Sequence, residues 1–377
     1  MRKKQSGQPK NSDPKIHHYW AWIYGTLLTA YTAFTLFHVF MIPHDTVKVD
    51  EAQAASIYRT DDLKKEQLTE QSTSDNTADT ESDRSAEIKG YSNSNRNRSV
   101  KKNRSSRRNA SSSTAGTQEK NSDPSGNSTS AAPQTEEQNY QDDYIAINIT
   151  SSYVNNTMVY VADIQLKNLG LLKSGMANDS FGRNVTEPTS SIAERLDAIL
   201  AVNGDFYGFR DTGYVIRNGI LYRSTKKDDN ARDLVLWSDG RMEVIREGDI
   251  TAEELLEQGA LQVYSFGPGL VENGEITVNA SSEVGQAMIS NPRTAVGMIE
   301  PMHYVMVVSD GRTAESEGLS LLQLAQIMQE LGCTTAYNLD GGGSTTMYFN
   351  GEVINNPASG RNSSSERSVS DIVYIGY

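Results

Sequence analysis

Residues 336–351 read AYNLDGGGSTTMYFNG: an apolar strand, an aspartate, three glycines, a second strand-like run and an Asn-Gly turn. Residues 202–219, VNGDFYGFRDTGYVIRNG, keep the same order, with Asn-x-Asp after one strand and Asn-Gly closing the next. Asn-Gly flanked by apolar alternation is the best short-range hairpin signal, because both residues tolerate positive φ. Asp239-Gly240 and Asn273-Gly274 add two more such turns.

Strand-like runs at 144–150, 157–166, 197–203, 214–223, 233–245, 303–309 and 371–377 lie around these turns. Three helices are expected where a hydroxyl precedes Glu or Gln by three residues, the capping box: Ser191 with Glu194, Thr251 with Glu254, and Ser320 with Gln323. The last carries the stripe Leu321, Leu324, Ala325, Met328 and Leu331, with Gly332 placed to end it. The expected fold class is α+β: mixed or antiparallel sheets with several hairpins and about three helices. The likeness of 202–219 to 336–351 leaves two readings open, two arms of one site or repeated hairpin chemistry.

Upstream, residues 20–42 contain no Lys, Arg, Asp or Glu. A helix of roughly 20 apolar residues crosses a hydrocarbon core of about 30 Å. Trp20, Trp22 and Tyr24 suit an interface, Arg2, Lys3, Lys4, Lys10 and Lys15 precede the run, and no small-x-small cleavage site follows it. The expectation is a single-pass signal anchor in the lipid bilayer, with residues 1–19 cytoplasmic and the chain beyond about residue 43 extracellular. Residues 43–143 are expected to be a disordered linker. Between Asp61 and Asn139 the only aromatic is Tyr91, and the large aliphatics are Leu63, Leu68, Ile88 and Val100, too few to offset ordering entropy. Within it, RNRSVKKNRSSRR (96–108) is read either as a contact for an anionic polymer or membrane, or as a solvated low-complexity stretch.

Residues 144–377 are expected to form one domain. They hold 16 Lys and Arg against 29 Asp and Glu, so the whole formal charge of −13 sits there, which argues against nucleic acid as a partner. The lone Cys333 excludes an internal disulfide framework and fits a bacterial surface protein better than an animal secreted one.

The domain's only histidine is His303, at a strand start. One His and one Cys rule out a Ser-His-Asp triad, a Cys-His pair, HExxH and a Cys/His zinc site. Carboxylates, hydroxyls, amides, arginines and backbone N–H groups remain, an inventory suited to glycosidic or phosphoester chemistry. It requires no cofactor; a structural divalent cation in the Asp-rich turns is left open. Asp340-Gly-Gly-Gly-Ser344 is no Walker A loop, since Gly-Lys-Ser/Thr is missing. It reads as either an anion-binding nest or a corner of close backbone approach. Asn203-Gly-Asp205 places a second carboxylate at a strand terminus; Arg293, Asp310 and Arg312 also flank strand ends.

VNGDFY, SFGPGLVENGEI, NPRTAVGM, VVSDGR, GLSLLQLAQIMQELGC, AYNLDGGGSTTMYFNGEVIN and SERSVSDIVYIG, in that order, resemble the phosphodiester glycosidase family. The resemblance covers about 144–377 and implies a hydrolase that cleaves the glycosidic C–O bond of a sugar-1-phosphodiester of the GlcNAc-1-phosphate type, here in a surface or extracellular polysaccharide. The alternative class is a non-catalytic glycopolymer-binding or envelope-assembly module. By resemblance, Asp205 and Asp340 are the catalytic carboxylates, their roles undivided. Asn203, Arg293, Asp310, Asn338, Gly341, Gly342, Gly343 and Ser344 match motif positions that bind substrate or phosphate, with Arg312 beside them.

Overall fold

The computed structural model describes residues 15–49, 137–282, 290–360 and 363–377, all in one compact unit. Most of the expected linker, with the basic run 96–108, lies outside the described residues, as do residues 1–14.

The uncharged run forms a helix, α1 (Lys15–Met41), but the membrane reading is corrected: among the described residues no helix is long and apolar enough to cross a membrane. Lack of charge is not apolarity. Thr26, Thr29, Thr32 and Thr35 punctuate the run, their hydroxyls donating to the carbonyls of Trp22, Gly25, Leu28 and Tyr31 at 2.8 to 3.0 Å. The single pass, the bilayer contact, and the cytoplasmic and extracellular sides fall with the span. After α1 the chain pairs His44–Lys48 with Ser180–Arg183, and Asn184 Nδ2 donates to the carbonyls of Val39 and Ile42.

Three larger antiparallel sheets and a two-stranded ribbon, Ala358–Gly360 with Ser363–Ser364, build the rest. The largest runs, edge to edge, Glu275–Ile276, Gly269–Glu272, Thr335–Asn338, Arg293–Glu300, His303–Ser309, Thr157–Leu166, Ile145–Val154, Glu137–Gln141. Its last strand, EQNYQ, is polar and at an edge, so no apolar alternation announces it; the sheet begins upstream of residue 144. The second sheet runs Met242–Arg246, Arg232–Trp237, Ala260–Tyr264, Val215–Arg217, Ile220–Arg223. The third runs Glu352–Val353, Met347–Phe349, Leu200–Asn203, Asp371–Ile375, Leu172–Met176. The turns behave as their residues dictate: Asn218-Gly219 has φ of 52° and 74°, Asn273-Gly274 53° and 79°, and Asn350-Gly351 48° and 96°.

The main core joins all three sheets, with Ile147, Ile164 and Met306 from the first, Leu234 and Leu236 from the second, and Leu200, Val202 and Ile375 from the third. Each outer face is covered by one short helix. α2 (Thr189–Arg195) packs Ile192 and Ala193 against the third sheet, α3 (Ala252–Glu257) packs Leu255 against the second, and α4 (Leu321–Glu330) packs Leu324 and Met328 against the first. The capping boxes of Thr251 and Ser320 are present, and Gly332 follows α4 with φ 85°. The Ser191 box is not. α2 starts at Thr189, and Ser190 N and Oγ both donate to Glu366 Oε2 at 3.1 Å, so a distant carboxylate caps this helix instead.

Leu200–Asn203 and Thr335–Asn338 are each interior strands, fully buried, in different sheets. Their C-terminal ends carry the two Asn-x-Asp turns.

Candidate active site

The two turns meet. Asn203 Nδ2 donates to the Asp340 carbonyl at 2.6 Å, and Asp340 N donates to the Gly204 carbonyl at 3.2 Å. Asn203 Oδ1 in turn accepts from Thr294 Oγ1 at 2.7 Å and Thr346 N at 3.2 Å. Of the two readings of the repeated pattern, the geometry is that of two arms at one place. Asn203 is the clamp between them.

The Asp340 carboxylate accepts from Gly341 N at 2.9 Å on Oδ1, and from Ser344 Oγ at 2.7 Å and Arg367 Nη2 at 2.8 Å on Oδ2. Burial raises its pKa above the usual carboxylate value, and Arg367 is the strongest influence holding it down. Its side chain is 12% exposed, while that of Arg367 is 45% exposed. A nearly buried acid thus lies directly beneath a solvent-facing cation.

The glycines make this corner possible. A Cβ on Gly341 would stand 2.8 Å from the Pro292 carbonyl oxygen, and one on Gly343 would stand 3.0 Å from Ser359 Cα. Gly342 has φ 64°, and a Cβ there would meet Arg312 Nη2 at 2.9 Å. Gly341 N is used by Asp340, and Gly342 N donates to the Pro292 carbonyl at 2.8 Å. Close backbone approach, the corner reading, accounts for the run.

Asp205 is differently placed. Phe206 N at 2.5 Å and Arg210 Nη2 donate to Oδ1, and Ser265 N donates to Oδ2 at 2.9 Å. Arg217 Nη2 lies 3.7 Å from Oδ2 in an ion pair, and neither of these two side chains is more than 1% exposed. Arg217 Nε donates to Asp371 Oδ2 at 2.7 Å, and its guanidinium lies 4.2 Å from the Tyr264 ring centroid. Asp371 Oδ1 closes the circuit by accepting from Asp205 N at 2.8 Å. Burial opposes ionisation of Asp205, but Arg210 and Arg217 outweigh it and bring its pKa below the usual range. Burial pushes Asp371 up to about 6 despite Arg217. This is an interior ion network supporting the turn.

The other expected residues form the walls. Asn338 Nδ2 donates to the Gly267 carbonyl at 2.8 Å, while its Oδ1 is buried with no hydrogen-bond partner among the described residues. Arg293 is buried, with Nε donating to the Leu319 carbonyl at 3.0 Å. Asp310 accepts from Asn356 N at 2.8 Å and Asn355 Nδ2 at 3.3 Å, and burial raises its pKa. Arg312 donates through Nε and Nη2 to Asn291 Oδ1 at 3.1 and 2.8 Å. His303 Nε2 pairs with Asp163 Oδ1 at 2.9 Å at its strand end. Sequence reasoning missed Arg367, Arg210, Arg217 and Asp371. The usable signal was scarcity: where histidine chemistry is excluded, every arginine near a strand end is a candidate cation. A cavity of about 320 Å³ among Arg241, Glu243, Glu272 and Thr335 lies at the opposite end of strand Thr335–Asn338 and holds none of these residues.

Residues 197–376 match the family model described as phosphodiester glycosidase. The match spans just under half of the chain. The resemblance read from the motifs is therefore borne out. The chain is 30% identical over 203 residues to the SPbeta prophage-derived uncharacterized protein YomE of Bacillus subtilis (strain 168), an alignment covering 52% of this chain and 31% of that protein. It is 30% identical over 176 residues to N-acetylglucosamine-1-phosphodiester alpha-N-acetylglucosaminidase of Mus musculus, covering 42% of this chain and 33% of the relative. The chain thus spans about a third of the length of these curated relatives. Among solved structures, the zebrafish N-acetylglucosamine-1-phosphodiester alpha-N-acetylglucosaminidase catalytic domain, auto-inhibited by its pro-peptide, has a TM-score of 0.50. It is 20% identical, with 66% of this chain and 85% of that one covered, and the likeness is one of fold.

Proposed function

We propose that the phosphodiester glycosidase domain hydrolyses the glycosidic C–O bond of a sugar-1-phosphodiester, with Asp340 working at the anomeric carbon. The observation that carries this is the Asp340 carboxylate itself. It is mostly withdrawn from water, fixed by three donors, and covered by an exposed guanidinium. The N-acetylglucosamine-1-phosphate linkage is the substrate class to try first, since two of the relatives are N-acetylglucosamine-1-phosphodiester alpha-N-acetylglucosaminidases.

The chemistry suits a site without histidine. In the net reaction the C1–O pair stays with the phosphate oxygen, the oxygen of water bonds to C1, and a phosphomonoester leaves. A phosphate leaves as a stable anion and needs little proton donation, so the site must supply a carboxylate and cationic stabilisation. Asp340 provides the negative charge next to C1. Asp205 acts through structure, holding Arg210, Arg217 and the turn at Ser265 in register. Arg293, Asp310 and Arg312 brace the loops behind the glycines, and Asn338 Oδ1 offers an acceptor to a hydroxyl or to water.

The test is to incubate the protein with a defined N-acetylglucosamine-1-phosphodiester and analyse the products. Free sugar plus phosphomonoester is expected, and Asp340→Ala abolishes both. Release of sugar phosphate assigns the reaction to P–O cleavage. Retention of a glycopolymer without turnover makes the domain a binding module. Undiminished release by Asp340→Ala removes Asp340 from the reaction.

A further inference from the structure

We propose that Arg367 is the residue that receives the substrate's phosphate, an inference resting on the phosphodiester reading above. Arg367 turns one side of its guanidinium inward: Nε donates to Ser344 Oγ at 2.8 Å, and Nη2 donates to Asp340 Oδ2 at 2.8 Å and to the Gly341 carbonyl at 3.2 Å. Its backbone N donates to the Gly343 carbonyl at 3.0 Å, so the chain segment is itself docked on the glycine corner. The remaining nitrogen, Nη1, has no partner among the described residues, and the side chain is 45% exposed.

Of the other donors near the corner, Gly341 N and Gly342 N donate to protein oxygens, and the exposed Arg312 beside Gly342 is held on Asn291 through Nε and Nη2 and makes no hydrogen bond to Asp340. Arg293 is buried against the Leu319 carbonyl. Among the described residues, Arg367 is the cation that touches both Asp340 and solvent.

Electrostatics gives the position its purpose. A phosphodiester is an anion, and so is the carboxylate it must approach; placed side by side with nothing between, they repel. A guanidinium bound to the carboxylate on one edge and open on the other lets both occupy one site. When the C1–O bond breaks, its electron pair stays on the oxygen attached to phosphorus, and charge grows next to Nη1. Water supplies the oxygen that bonds to C1; one of its protons remains on the new hydroxyl and the other is released.

The experiment titrates inorganic phosphate into wild type, Arg367→Met and Arg367→Lys by calorimetry. It also compares kcat/KM on the N-acetylglucosamine-1-phosphodiester with that on a 4-nitrophenyl glycoside of the same sugar, which carries no phosphate. Arg367→Met is expected to weaken phosphate binding roughly tenfold or more, the range of a lost charged hydrogen bond. Its kcat/KM is expected to fall at least that much further on the diester than on the aryl glycoside, with partial recovery in Arg367→Lys. The acid limb of the remaining aryl glycosidase activity moves to higher pH, because Asp340 loses the cation that keeps it ionised. Circular dichroism of all three proteins controls for folding. Equal phosphate affinity in wild type and Arg367→Met, no affinity in either, or equal falls on the two substrates overturns the proposal. Failure of wild type to hydrolyse the diester overturns the functional reading instead, while the phosphate titration still decides Arg367.

Discussion

Asp205 and Asp340 occupy matching places in two similar turns, and the structure predicts opposite consequences for neutralising them. Asp205→Asn removes a charge that faces Arg210 and Arg217 in the interior, where the Asp205 side chain is 0% and Arg217 1% exposed. Removing one member of a buried ion pair costs about 3–5 kcal/mol, because its partner stays buried and uncompensated. Here Asp371 still holds Arg217 Nε, and Arg210 is 19% exposed, so the lower end, about 3 kcal/mol, applies. Against a total stability of about 5–15 kcal/mol this is a large fraction. Asp340→Asn removes a charge that burial already disfavours, and its partner Arg367 is 45% exposed and remains hydrated. After discounting for solvent, its cost is about 1 kcal/mol or less.

Urea denaturation at pH 7, followed by far-UV circular dichroism, separates the two. Asp205→Asn is expected to lower the midpoint by about 1 M or more for an m-value in the usual range of about 1–3 kcal/mol/M. Asp340→Asn is expected to lower the midpoint by no more than about a third of that shift and to abolish turnover. An Asp205→Asn protein as stable as wild type yet inactive would make Asp205 a reacting carboxylate and refute the assignment of roles.

Gly342→Ala is expected to lose about 1–3 kcal/mol, combining left-handed strain with displacement of Arg312, whereas Gly351→Ala loses the strain alone because nothing lies within 4 Å of its Cβ; thermal melts of the two check this. Ser320→Ala removes the α4 capping box at a cost of about 1 kcal/mol, read in the same melts. Asp371, with a folded pKa of about 6, binds its proton more tightly folded than unfolded, so its contribution declines as pH rises from about 4 to about 6, by on the order of 3 kcal/mol. Asp205, shifted below the usual range, contributes the opposite way: its stabilisation is present above about pH 4 and is lost as pH falls through the lower folded value. Denaturation midpoints between pH 4 and 7 report the Asp371 slope, which Asp371→Asn removes; an unchanged slope in that variant excludes Asp371 as its source.

What the sequence made legible was local. Asn218-Gly219 and Asn350-Gly351 turn where their tolerance of positive φ allows, and Thr251 and Ser320 cap with residues three positions away. Where a distant partner decides, local reading fails. Glu366, from the far end of the chain, caps α2 in place of the Ser191 box, and the polar edge strand Glu137–Gln141 is specified by pairing with Ile145–Val154. The membrane expectation failed because it weighed charge, and an uncharged run need not be apolar enough to span. At the site, Asp340, Ser344 and Asn203 announced themselves by their turns. Arg367 reaches Asp340 from 27 residues downstream, and Asp371 reaches Arg217 across 154, separations that no local pattern marks.

The paired turns also show how one local motif acquires two uses. Both asparagines do the same work, each donating to a carbonyl of a neighbouring segment, Asn203 to Asp340 and Asn338 to Gly267. The aspartates two positions later diverge because of where their counter-charges lie. Asp205 is surrounded by Arg210, Arg217 and backbone donors within the interior, so its charge is fully matched before any ligand arrives. Asp340 is matched by one arginine that stands at the surface. A carboxylate whose only guanidinium partner among the described residues is solvent-facing can share that partner with an incoming anion, whereas one locked among buried cations cannot without dismantling the fold. On the proposed function, the position of the cation, more than the motif that carries the acid, is what makes one turn a strut and the other a reagent.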